Sequence, residues 1–499
     1  MSNDLLSAKS QLSTTECGLE CWRQRTPSET ALRYAGKAFT WLEIGSVVDR
    51  LSQSLLEQGV VRGEVVALIS KNNPELLLIY LACCRIGAIG AFIAPTTANQ
   101  LQKKLQVLGD CHYWVHSSGF DMTDGDKLCD TSLAKCDTSL AKVASDPNYR
   151  PLHISIDWNT GSPQTPCPDV SEQDLTSIIF TSGTTGSAKA VAHTKQQHIA
   201  SAQGLLERFK FNKQHTWLLS LPMYHVSGLA IVWRWLVTGA CLKIGEGADL
   251  YQDLQQVTHA SLVTTQLKRL LYDGRPLCLT RVLLGGSHIP ITLAQAANQR
   301  GIDTWLGYGM TEAASTVMAK PVDGRVGVGF LLPKRNIKID DKRIFISGET
   351  LASGYFSHGF ITPLTEDGWF DSKDLGEWHG DEICILGRAD NQFISGGENI
   401  HCEEIEKALS FHPQVRNVMV VAVKDSVYGA RPVAVVQCDR LLHKSEYEQV
   451  IAKHLDKFKW PIDYVLMPEF ISQSSAIKIP RAKIKQWFSE NITNYTLVS

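Results

Sequence analysis

At 499 residues, the chain is longer than a single hydrophobic core sustains, which predicts at least two domains. Lys and Arg number 49 against 51 Asp and Glu, a formal net charge of -2 that gives no electrostatic case for a nucleic-acid partner or a membrane surface. Thirteen cysteines, odd in number and scattered, suggest neither a disulfide framework nor a zinc site.

The amino terminus, Met1-Ser2-Asn3-Asp4, lacks the charged-then-apolar order of a signal peptide, so a cytoplasmic location is expected. Thr40 and Glu43 have capping-box spacing, and Ile44, Val47, Val48, Leu51 and Leu55 then recur at helical intervals up to Gly59. Val65 to Ile69 reads as a buried strand. Pro74 opens another helix and Ala88 to Ile93 makes the next strand. The apolar stretch Leu76 to Ala94 contains Arg85 and glycines, so it divides into helix and strand and predicts no membrane insertion. Helices alternating with strands indicate a parallel sheet layered by helices. The heptapeptide at 129 to 135 recurs unchanged at 136 to 142, which reads as a surface insertion.

Ile178-Ile179-Phe180 is the next buried strand, and Thr194 to Gln197 has the spacing of a helix start. Between them lies Thr181-Ser182-Gly183-Thr184-Thr185-Gly186-Ser187-Ala188-Lys189, predicting strand, loop and helix in that order. Glycines let a backbone approach phosphates closely, while hydroxyls, amides and a lysine supply donors and charge. The spacing departs from a Walker loop, since only two residues separate Gly183 from Gly186 and Lys189 precedes Ala190. Ser-Gly-Thr-Thr-Gly-x-x-Lys resembles instead the phosphate loop of the adenylate-forming superfamily, which includes acyl-CoA and aryl-CoA synthetases, luciferases and peptide-synthetase adenylation domains. The resemblance implies ATP with Mg2+ as the nucleotide, and an α/β fold with a large N-terminal domain of layered sheets and a smaller mobile C-terminal α+β domain.

Downstream, Trp217 to Pro222 reads as a strand running into Met223-Tyr224-His225-Val226-Ser227-Gly228 and a helix containing Trp233-Arg234-Trp235-Leu236. His225 matches the family position beside the acyl substrate. Arg234, between two tryptophans on an apolar helix, is costly to bury without an anion, although aromatic faces or a solvent rim could also accommodate it. This run is similar to that of o-succinylbenzoate:CoA ligases of menaquinone biosynthesis, whose substrate carries two carboxylates. The resemblance implies that one is activated and that Arg234, with Ser227, holds the other.

Two further strand ends, Gly285-Gly286 after Arg281 to Leu284 and Gly307-Tyr308-Gly309-Met310-Thr311-Glu312 after Thr304, match the family's adenine and acyl-adenylate pocket. Placement at strand ends suits ligand binding in open α/β sheets. Glu312 matches the magnesium-holding glutamate. Gly368-Trp369-Phe370-Asp371-Ser372-Lys373-Asp374 resembles the motif whose aspartate takes the ribose hydroxyls, with Lys373 replacing a glycine. Arg388 would approach ribose or phosphate, and Asp390 would be the hinge between a large domain over 1–389 and a small domain over 390–499. Gly396 and Gly397 would flank the pantetheine arm of coenzyme A. Lys478, in Lys478-Ile479-Pro480-Arg481, matches the adenylating lysine, although Ile477 replaces the usual glycine.

The resemblance thus makes Lys478, His225 and Thr184 the candidate catalytic residues. Thr181, Ser182, Gly183, Thr185, Gly186 and Lys189 join the strand-end residues in nucleotide binding. A carboxylate resists thiol attack until its oxygen becomes a leaving group, so the implied chemistry is activation of 2-succinylbenzoate by ATP followed by transfer to coenzyme A. Rival readings are a ligase for a fatty or aromatic monocarboxylate, transfer to a carrier-protein thiol, and a non-catalytic nucleotide-binding protein. A homo-oligomer is compatible with the sequence.

Overall fold

A computed structural model describes residues 18–116, 146–156, 158, 168–182, 188–285, 289–395, 398–468 and 481–498. The duplicated heptapeptide lies outside them. Thr40 caps the helix Trp41–Glu57 through the expected capping box with Glu43, and Asn73 caps the proline-initiated helix Pro74–Ile86. Apart from Glu75 and Arg85 near its ends the latter is apolar and mostly buried.

Among the described residues the strands form five sheets. The first runs Phe360–Thr362, Gly354–Ser357, Ala188–Thr194, Leu175–Ser182, Ile89–Ile93, Val65–Ile69, Cys111–Val115 and Tyr149–Pro151. Its last five strands are parallel. A nine-stranded sheet has at its centre the parallel strands Cys241–Lys243, Thr216–Leu218, His259–Leu262, Arg281–Gly285 and Asp303–Met310. Between the two sheets lie the helices Trp41–Glu57, Pro74–Ile86, Lys195–Leu206 and Val226–Thr238, in one core that includes Leu68 and Phe92 from the first sheet and Trp217 and Leu242 from the second. Trp41 and Trp235 stack there at 4.9 Å, worth about 0.5–1.5 kcal/mol beyond their buried area. Ala98–Leu108 covers the outer face of the first sheet, and Thr264–Asp273 and Ile291–Asn298 that of the second.

The C-terminal part is smaller. Asn417–Asp425 and Gly429–Gln437 pair antiparallel, and Asp463–Leu466 adds in parallel. Cys402–Leu409 and Lys444–Ile451 pack on one face, Arg481–Asn491 on the other. This is the α/β architecture expected from the sequence, with a large layered N-terminal part and a small α+β part.

One local expectation fails. The phosphate loop does not lead directly into a helix, because Ala188–Thr194 first returns antiparallel to Leu175–Ser182 and only then does Thr194 cap the helix Lys195–Leu206. Ala190 to Thr194 is buried along its whole length, so it shows no alternation of apolar and polar residues from which a strand could be read.

Candidate active site

The hairpin places Thr181 directly opposite Lys189. Lys189 Nζ lies 4.8 Å from the ring centroid of Tyr355, whose hydroxyl donates to Glu312 Oε1 at 3.2 Å. Tyr355 is carried on Gly354–Ser357, which pairs with the returning strand of the hairpin. Burial, then the Glu312 carboxylate, raises the Tyr355 phenol above its ordinary range, so it remains a donor. Lysine, phenol and carboxylate are thus gathered beside the phosphate loop. Among the described residues no group of three His, Cys, Asp or Glu side chains could hold a metal by itself. A lone Glu312 nevertheless fits magnesium in the way that ion usually binds nucleotides, through one or two carboxylates with phosphate oxygens and water.

Next to it, Gly285 and Gly307 are paired on adjacent parallel strands. Gly309 permits a close fold-back: an added Cβ there would lie 1.8 Å from the Ser315 carbonyl oxygen. Tyr308 donates to Asp374 Oδ2 at 2.6 Å, and Arg388 Nη1 reaches Asp374 Oδ1 at 3.4 Å. Burial and the Asp374 charge raise the Tyr308 phenol well above its ordinary value. The Arg388 guanidinium also holds Asp390 through Nε at 3.0 Å and Nη2 at 3.3 Å. Burial works against its charge, but Asp390 and Asp374 together raise its pKa. Asp374 sits inside the strand Phe370–His379, 8% exposed, opposite Arg388. Lys373 has a left-handed φ of +63°, a region glycine enters more readily than lysine, and its ammonium reaches Asp371 at 2.7 Å.

Around the acyl site expected from the sequence, Asn72 braces the loop before the helix Val226–Thr238. Its amide donates to the carbonyls of Leu219 and Leu221, and its oxygen accepts from Met223 N at 2.9 Å. A Cβ on Gly228 would come within 2.1 Å of the Pro222 carbonyl oxygen, which explains glycine at this turn. His225 occupies the N-cap position of the helix Val226–Thr238, and burial, then the Lys104 charge, lowers its pKa. Ser227 and Arg234 follow seven residues apart, hence on one helical face.

Arg234 is 2% exposed, so it is not a rim residue snorkelling to solvent. Its Nη2 donates to Thr316 Oγ1 at 3.3 Å, its Nε has no hydrogen-bond partner among the described residues, and its guanidinium lies 5.2 Å from the Trp217 ring. The aromatic face is therefore not that of either chain neighbour, since residues adjacent in a helix point apart. Burial, and then the charge of Arg335, push Arg234 down to about 9, which leaves it cationic at neutral pH.

These groups form one connected region. The strand Asp303–Met310 carries Tyr308, its antiparallel neighbour Ser315–Pro321 carries Thr316, and the turn between them carries Thr311 and Glu312. Lys478, Thr184, Gly183, Thr185, Gly186, Gly286, Gly396 and Gly397 lie outside the described residues, as does the side chain of Ser182. Sequence reasoning missed Tyr355 and Lys104. Neither carries a local signal, and both are brought in by long-range strand and helix packing.

A family model described as AMP-binding enzyme matches residues 19–356, and one described as AMP-binding enzyme C-terminal domain matches residues 404–476. The chain belongs to the AMP-binding enzyme family. Within that family it is similar to the 2-succinylbenzoate–CoA ligase of Salmonella typhimurium, at 37% identity over 95% of this chain and 98% of the relative, and to that of Escherichia coli, at 36% over 93% and 97%. A solved structure of an E. coli MenE variant with bound OSB-AMS superposes with a TM-score of 0.80, at 36% identity, covering 94% of this chain and 97% of the other.

Proposed function

We infer that this protein is an AMP-forming acid–thiol ligase, which converts 2-succinylbenzoate to its coenzyme A thioester through an acyl-adenylate in menaquinone biosynthesis. The observation that carries the reading is Arg234, a fully buried cation with only a hydroxyl and an aromatic face as described partners. Leaving such a charge under-solvated is unfavourable unless an anion completes its shell. A substrate with a second carboxylate does so, whereas a fatty-acid tunnel has no use for it. Similarity to 2-succinylbenzoate–CoA ligases over almost the whole chain supports the same substrate.

In the first half-reaction a carboxylate oxygen of the substrate attacks the α-phosphorus of ATP and diphosphate leaves. Arg234 and Ser227 hold the other carboxylate, and His225 borders the acyl group at the helix entrance. Thr181, Ser182, Gly183, Thr184, Thr185, Gly186 and Lys189 cradle the phosphates. Gly285, Gly286, Gly307, Tyr308 and Gly309 border adenine, and Asp374 accepts the ribose hydroxyls with Arg388 alongside. Glu312 would hold magnesium, which when bound neutralises phosphate charge. The protein contributes position and fixed charge rather than a covalent nucleophile.

Lys478 presents its ammonium to the developing charge at the α-phosphate. In the second half-reaction the coenzyme A thiol attacks the acyl carbonyl and AMP departs, with Gly396 and Gly397 beside the pantetheine arm. The boundary is put at 389/390, within the turn Ala389–Asn391 that follows the strand Glu382–Arg388, with Asp390 as the pivot. A cytoplasmic location agrees with the use of ATP and coenzyme A. Among the described residues no helix is long and apolar enough to cross a membrane.

ATP–diphosphate exchange with 2-succinylbenzoate, benzoate and a medium-chain fatty acid tests this reading. Exchange confined to 2-succinylbenzoate is expected; equal exchange with the monocarboxylates would refute the substrate. Lys478→Ala is expected to slow adenylation about 10²- to 10³-fold while still converting preformed acyl-AMP to thioester, and equal loss of both steps would contradict its assigned role.

A further inference from the structure

The turn bearing Glu312 is strained and externally held. Ala314 and Ser315, neither of them glycine, have φ values of +49° and +96°. Three side chains from outside the turn grip successive carbonyls around this kink. His193 Nε2 donates to the Thr311 carbonyl at 2.8 Å, Ser201 Oγ donates to that of Ala314, and Arg335 Nε donates to that of Thr316 at 2.8 Å. All three are buried, at 0%, 3% and 3% exposure.

Their own supports are equally specific. Arg335 sends Nη1 to the Pro333 carbonyl at 2.6 Å and Nη2 to the carbonyl and hydroxyl of Ser201 at 3.0 and 3.1 Å, so two of the gripping residues brace each other. Gly204, one turn beyond Ser201, leaves room for this guanidinium; a Cβ there would lie 2.1 Å from Nη1. His193 packs against the ring of His198 at 4.9 Å, and His198 stacks on Trp233 at 5.2 Å and 6°, next in the chain to Arg234. A carbonyl only accepts, so His193 carries its proton on Nε2. Burial pushes its pKa down to about 4, which keeps the ring neutral near pH 7.

The two ends of the gripped segment face different ligands. Glu312 meets Tyr355 beside Lys189, and Thr316 accepts from Arg234. We propose that His193, Ser201 and Arg335 are positioning residues that clamp the Thr311–Thr316 backbone, fixing Glu312 for the metal–nucleotide and Thr316 for the arginine that holds the acyl substrate. This rests on the function inferred above. It assigns His193 to the nucleotide end and Arg335 to the acyl end, so the two should fail differently.

Calorimetric titration with ATP, with and without Mg2+, and the KM for 2-succinylbenzoate in the exchange assay separate the ends. His193→Phe is expected to weaken MgATP binding about 10- to 100-fold, to change metal-free ATP binding by no more than about threefold, and to leave the 2-succinylbenzoate KM within the same margin. His193→Gln, which keeps a side-chain donor, is expected to recover most of the loss. Arg335→Lys, chosen to preserve charge where Arg335→Met could fail to fold, is expected to raise the 2-succinylbenzoate KM about tenfold with MgATP binding nearly unchanged.

Parallel losses at both ends that follow the fall in melting temperature would reduce the trio to fold supports and overturn the proposal, as would unchanged binding in His193→Phe. If the wild type instead activates a different acid, the inferred substrate fails. The clamp is then judged on the same two-ended split with that acid, and on the MgATP titration, which needs no acid.

Discussion

Two arginines are buried on either side of Thr316, and their surroundings differ. Arg335 directs Nε, Nη1 and Nη2 at three carbonyls and a hydroxyl, so backbone dipoles solvate its charge. Arg234 spends one nitrogen on the Thr316 hydroxyl, faces Trp217, and leaves Nε without a partner among the described residues. Burial lowers both pKa values, to about 10 for Arg335 and about 9 for Arg234, yet each remains charged at pH 7. A guanidinium has five donors in a fork suited to carboxylate. The socket of Arg335 is filled by the protein itself, whereas that of Arg234 keeps donors for the carboxylate proposed above.

The sharpest way to break this comparison is to neutralise each arginine in turn. Arg335→Met strands several buried acceptors, each costing about 1–3 kcal/mol, and should lower the melting temperature strongly. Arg234→Met removes an under-solvated charge and should leave stability unchanged or raise it by about 1–4 kcal/mol, while the 2-succinylbenzoate KM rises about 100-fold. Only the Arg335→Met denaturation curve should move to lower stability; destabilisation by both variants would mean that Arg234 is satisfied by the protein rather than held for a ligand.

A smaller effect comes from two buried histidines. The folded pKa of His193, about 4, and of His259, about 3, lies below the ordinary value of 6.5. Their contribution to stability is therefore complete above about pH 6.5 and is lost as pH falls toward the folded values, with a slope of about 1.4 kcal/mol per pH unit for each group. The melting temperature should drop between pH 6.5 and 4, and less steeply in His193→Gln. The smallest effect concerns an exposed cation. Lys373→Gly relieves a left-handed φ worth about 1 kcal/mol but gives up the surface pair with Asp371, so a gain of roughly 0.5 kcal/mol is expected in thermal unfolding.

Much of the frame was readable because its signals are local. Thr40 with Glu43 and Thr194 with Gln197 form capping boxes as spaced, and the apolar runs at Val65 and Ile178 are buried strands. The strand after the phosphate loop escaped because a fully buried segment ending in His193 and Thr194 shows no alternation. Arg234 could be flagged as unusual, but its burial could not be read, because Trp217 and Thr316 reach it from other strands. The carbonyl clamp was invisible for the same reason: His193, Ser201 and Arg335 converge across 118, 113 and 19 residues of chain separation.

The most direct test of the central claim removes the carboxylate from the substrate as well as the arginine from the protein. Exchange kcat/KM would be measured for 2-succinylbenzoate and for whichever of its two single-decarboxy analogues still supports exchange, with wild type and Arg234→Met. Wild type should prefer the dicarboxylate by about 100-fold and the variant by no more than about threefold, because each change removes the same interaction. An equal preference in both enzymes would contradict the role of Arg234 as the carboxylate anchor.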